Sequence, residues 1–109
     1  MSCLEGAERK DHDERQAGVS AMLFMVVERF KDSSLAGARF RRKGRMLPEG
    51  VNYHASWMDT TGTRCFQIME AADLQSLMIW VHRWDDLVDF EIIPVLTSQD
   101  YWASEAQSA

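Results

Sequence analysis

At 109 residues, 46% hydrophobic and 27% charged, the chain has the size and composition of one globular domain. Its net charge of −5 excludes the cationic footprint that general nucleic-acid binding requires. No run reaches the ~18–20 consecutive apolar residues of a membrane helix, so neither nucleic acid nor membrane is an expected partner.

Residues 1–21 read as a disordered N-terminal extension. Met1–Ser20 is polar and aperiodic, and Glu5, Glu8, Asp11, Asp13 and Glu14 occupy the stretch where a signal peptide needs an apolar core. Cys3 and Cys65 are the two cysteines, too few for a disulfide framework, so free thiols and a cytoplasmic location are expected.

A first strand is predicted over Met22–Arg29 (MLFMVVER), whose near-continuous apolar run suits a central strand. Asp32 or Ser33 can cap a helix running to about Met46, although Gly37 and Gly44 each weaken it by ~1 kcal/mol relative to Ala. Pro48-Glu49-Gly50 is the expected stop. Strands follow at Val51–Met58 and Arg64–Glu70, joined by Asp59-Thr60-Thr61-Gly62-Thr63, a hairpin signal. A second helix opens near Asp73, with Leu74, Leu77, Met78, Val81 and Trp84 at core-facing spacing. The last strand is Val88–Leu96, where Pro94 lacks an amide donor and points to an edge. Residues 22–102 form the single domain and 103–109 a small, polar, flexible tail.

The order β-α-β-β-α-β defines an α+β, ferredoxin-like fold, an antiparallel four-stranded sheet with two helices on one face. The other face stays open and partly apolar. Such a patch, several hundred Å2 with Tyr53, Trp57 and Met69 on it, predicts a homodimer.

The hairpin leaves two registers. A three-residue loop with a bulge pairs Trp57 with Cys65 and Ala55 with Gln67, whereas a four-residue loop pairs Ser56 with Gln67. The bulged version is preferred. It puts Phe66 and Ile68 under the helices and Tyr53, Trp57, Cys65, Gln67 and Met69 on the open face. On the second strand, either His54 and Ser56 or Tyr53 and Trp57 look toward that face.

The phrases MLFMVVERF, GRMLPEGVNYHASWMD, RCFQIMEA and WVHRWDDLVDFEIIPVL resemble the small bacterial "domain of unknown function 3303" family over about Met22 to Thr97. The resemblance implies a branch of the dimeric α/β-barrel superfamily. There, two ferredoxin-like protomers pack sheet against sheet, and the space between sheet and helices or loops can hold a ligand. It implies no activity. Haem-degrading monooxygenases of that superfamily use a helix His with Trp and Asn; this chain has His82 and several Trp, but its first strand holds no Asn.

The candidate ligand-binding residues are Tyr53, His54, Trp57, Cys65, Gln67 and His82, for a small apolar or aromatic molecule held between sheet and helices. An enzyme, as a cofactor-independent or haem-linked monooxygenase or an isomerase, is the alternative, and it requires Tyr53, His54, Gln67 or His82 to converge on one cavity. A purely structural dimerisation module is the third reading. His82 can reach Asp85 or Asp86 as a general base would. The histidines His12, His54 and His82 have no metal-ligand spacing, and no cofactor is expected. Arg39, Arg41, Arg42, Lys43 and Arg45 form a basic run, read as a solvated helix face or as a cradle for a phosphate or carboxylate. Glu28 and Glu91 would carry raised pKa values if they faced the open side.

Overall fold

The structure, a computed structural model, describes residues 21–108. All but the last residue of the expected N-terminal extension lies outside the described residues. The elements are β1 (Met22–Phe30), α1 (Ser33–Lys43), β2 (Asn52–Met58), β3 (Arg64–Ala71), α2 (Leu74–His82), β4 (Val88–Val95) and α3 (Ser98–Ser108). The strands form one sheet in the order β2-β3-β1-β4, with every neighbouring pair antiparallel. This is the ferredoxin-like arrangement, with one helix added at the C-terminus.

The apolar run of β1 makes it a central strand, paired along its length with both β3 and β4. Phe24 and Val26 point into the helix-covered face together with Met69 of β3, and all three are fully buried. Leu77, Trp80, Val81 and Trp84 supply the α2 side of the core at i, i+3, i+4 and i+7. Leu74, expected in that stripe, is exposed at the first turn, and Trp80 takes its share of the core. Burying side chains of this size contributes roughly 1.5–3 kcal/mol each.

Both principal helices start on an aspartate. Asp32 accepts from the Leu35 amide at 3.0 Å, and Asp73 from the Ser76 amide at 2.8 Å. α1 ends at Lys43, short of Met46, because Gly44 adopts φ 67° and turns its amide back to the Phe40 carbonyl at 2.8 Å. Residues 103–108, read from composition as a tail, form the second half of α3. The overlooked signal is Thr97, whose hydroxyl accepts from the Asp100 amide at 3.0 Å and caps that helix.

The preferred hairpin register does not hold near the turn. Ser56 pairs with Gln67, Trp57 with Phe66 and Met58 with Cys65, around the four-residue loop Thr60–Thr63. Asp59 explains the loop. Its carboxylate accepts from the amides of Thr63 and Arg64 and from the Arg64 side chain, and Gly62 supplies the left-handed residue at φ 77°. The bulge sits further along β2, at His54: Tyr53 pairs with Met69, but Ala55 pairs with Ile68. Both registers considered from the sequence therefore occur, one on each side of His54.

The face assignment changes accordingly. Cys65, Gln67 and Met69 lie beneath the helices and are buried, whereas Phe66 and Ile68 occupy the open face. The reason lies in β1, whose fully apolar residues Phe24 and Val26 pair with Met69 and Gln67 and bring them under cover. Within β2 the bulge breaks the alternation, so Tyr53 and Ser56 share the covered face and Trp57 looks out from the other.

Candidate functional site

Between the covered face of the sheet and α1 lies a cavity of about 330 Å3. This is near the lower end of the roughly 300–1,000 Å3 typical of small-molecule pockets, which suits a one- or two-ring molecule. Its walls are mainly apolar, with Phe30, Phe40, Trp80, Trp84 and Val88 prominent. Besides the two tryptophans, its polar lining residues are Glu28, Ser33, Arg45, Ser56, Cys65 and Gln67.

The sheet register places these groups. Glu28 pairs with Cys65 and Val26 with Gln67, so Glu28 and Gln67 are diagonal neighbours on one face. They are the buried polar residues of the described chain, at 8% and 4% exposure. Burial in this apolar setting drives the Glu28 carboxyl up to about 7. The positive charge of Arg45 and a hydrogen bond from Gln67 pull the other way and only partly offset it. Burial also pushes the Cys65 thiol up to about 11, reinforced by the nearby Glu28. Cys65 is thus a packed, protonated thiol, and Glu28 is the group poised to exchange a proton near neutrality.

The sequence patch Trp80–Asp86 builds one side of the site through its contacts to the α1–β2 connection. The indole nitrogens of Trp80 and Trp84 both donate to the Arg45 carbonyl, at 3.1 and 3.0 Å. Arg83 donates to the Met46 carbonyl at 2.9 Å, where Met46 holds a left-handed φ of 58°. Arg39 of α1 ties that helix to the same patch with paired bonds of 2.8 and 2.7 Å to Asp86.

The six candidate residues do not converge. Cys65 and Gln67 line the cavity. Tyr53 lies beside it, its hydroxyl 2.8 Å from Ser56 Oγ and its ring beneath the Arg45 guanidinium at 3.5 Å. His54, lifted by the bulge, meets Glu70 at 2.7 Å away from the cavity. Trp57 stands 54% exposed on the open face. His82 is exposed on α2 and pairs with Asp85 at 3.0 Å. The arrangement of Tyr53, His54, Gln67 and His82 around one reaction centre, which the enzyme reading required, is not present.

The sequence leaves the facing of Glu28 open, and the structure puts it on the covered face, paired with Cys65. Its desolvation comes from the helices. The legible signal was its position: it is the acidic residue of an apolar strand, in step with Phe24 and Val26. Glu91 is exposed on the open face within 4.0 Å of Arg29. Among the described residues no group of three or more His, Cys, Asp or Glu side chains is placed to hold a metal ion, and no helix is long and apolar enough to cross a membrane.

A covered sheet face with a cavity at its centre, in a ferredoxin-like α+β domain, defines the structural class. Within it, the chain belongs to the family described as Domain of unknown function (DUF3303), whose model matches residues 22–109. No curated protein and no solved structure matches it.

Proposed function

We propose that the protein binds a small, largely apolar or aromatic molecule in the cavity between the sheet and α1, with Glu28 and Gln67 engaging a polar group on it. The observation that carries this reading is the buried Glu28 carboxyl on a mainly apolar cavity of about 330 Å3. A lone carboxyl is costly to bury and would be replaced by an apolar residue if packing were its only role. A proton-transfer reaction on the bound molecule is the second reading, favoured by the near-neutral titration of that same carboxyl.

The test uses two neutral probes, indole and 3-phenylpropionamide, titrated against the protein and followed by ligand-observed NMR. Saturable binding is expected in the wild type and its loss in Gly37→Leu. Gly37 lies in the cavity wall on α1, and a Cβ there meets nothing nearer than Arg41 at 3.5 Å. The added side chain should therefore fill space while favouring the helix. Absence of saturable binding in the wild type, or undiminished binding in Gly37→Leu, would overturn the reading.

We also propose that a second copy covers the open face. Met25, Phe66, Ile68 and Ile93 form an apolar surface there around the nearly buried Val27, with Trp57 at its border. Sedimentation should give a dimer at micromolar concentration that Trp57→Asp weakens; a wild-type monomer would count against it.

A further inference from the structure

Arg45 is held in place from both ends. Its carbonyl accepts from two indole N–H groups, and it is flanked by Gly44 and Met46, both with positive φ. Its guanidinium carbon sits 3.5 Å from the centroid of Tyr53 and 5.2 Å from that of Phe40. Stacking satisfies the faces of a guanidinium and leaves its in-plane N–H donors available.

Those donors have no protein partner among the described residues. The other well-placed arginine of the basic run, Arg39, forms an ion pair with Asp86, whereas among the described residues no carboxylate lies within ion-pair distance of Arg45, and Glu28 acts on it only at longer range. It nevertheless lines the cavity beside Glu28. A left-handed conformation at a non-glycine residue is costly and persists where the surroundings enforce it, often at a functional site. Here the enforcement falls on the turn that presents Arg45.

We infer that Arg45 is an anion-binding residue of the cavity, and that the ligand class is a small aromatic or aliphatic carboxylic acid in its ionised form. The planar fork of donors matches a carboxylate edge. The apolar walls suit a hydrocarbon body, and Ser56 and Gln67 provide neutral polar groups alongside. Below neutral pH the Glu28 carboxyl, raised to about 7, is mostly protonated, so its competition for the guanidinium falls and it can donate to the ligand carboxylate.

This inference rests on the cavity being a ligand site, and the experiment separates the two claims. Three probes of the same shape, 3-phenylpropionate, 3-phenylpropionamide and 3-phenylpropylamine, are titrated at pH 6.5 by calorimetry into the wild type and into Arg45→Met. The acid should bind the wild type at least tenfold more tightly than the amide. Arg45→Met should erase that preference, so that this variant binds acid and amide alike. Equal binding of acid and amide, or tighter binding of the amine, overturns the carboxylate inference and leaves the cavity reading standing. Acid preference that survives in Arg45→Met overturns the assignment to Arg45. Failure of all three probes to bind the wild type overturns both.

Discussion

The two faces of the sheet carry similar residue types and treat them oppositely. Each has an aromatic group and a glutamate with a polar partner. On the covered face Trp80 is 2% exposed and Glu28 is buried beside Gln67, with its carboxyl titrating near 7. On the open face Trp57 is 54% exposed, and Glu70 is paired with His54. The difference is solvent. Under the helices a polar group cannot reach water, so its chemistry is set by a few fixed neighbours; on the open face water screens the same groups.

The two tryptophans test this most strongly. Trp80→Ala should cost about 3–5 kcal/mol, because it removes a fully buried ring and one of the two indole donors to Arg45. Trp57→Ala should cost less than about 1 kcal/mol in the isolated protomer. Urea unfolding of both at low protein concentration makes the measurement. Comparable losses would mean that the open face is as tightly packed as the covered one.

The two glutamates should respond with opposite sign. Folding raises the Glu28 carboxyl from its ordinary 4.5 to about 7. The folded state therefore holds the proton more tightly than the unfolded chain does. Stability from this group is fully present below pH 4.5 and declines as pH rises toward 7, by roughly 3 kcal/mol. Glu28→Gln should abolish that decline and be more stable than the wild type above pH 7 by about 2–3 kcal/mol. Glu70→Gln should instead lose about 0.2–1 kcal/mol, as expected for a partly exposed pair. Denaturant midpoints from pH 4.5 to 8 decide between these outcomes; a Glu28→Gln protein with the wild-type pH profile would remove the desolvation argument.

The smallest expected effect concerns Cys65. With its thiol pushed up to about 11 and the side chain buried, alkylation by iodoacetamide at pH 8 should be slower in the native protein than in urea. Equal rates would mean that the covered face opens readily.

Much of the fold was legible because its signals are local. The apolar run of β1, the two capping aspartates and the Asp59–Gly62 turn each specify an element from neighbouring residues. The face of β3 was not, because it is set by long-range pairing with β1, where Phe24 and Val26 bring Met69 and Gln67 under cover, and nothing in NYHASWM marks where the β2 ladder slips. The Trp80–Asp86 patch stood out, but its role did not. Its indoles and Arg83 reach carbonyls 35 to 39 residues away, and sequence spacing contains no record of which backbone oxygen a folded chain brings near.

The slip at His54 also bears on how the sheet resists edge-to-edge aggregation. A sheet edge is a row of open backbone groups on which another chain's strand can crystallise, and repeated additions make a fibril. Here one outer strand is β2, kinked by the bulge, and the other is β4, where Pro94 withholds an amide. Neither border offers a straight, complete template for a further strand. With the sides of the sheet blunted, the dimer proposed above, formed through the flat face, would face little competition from strand addition at the edges.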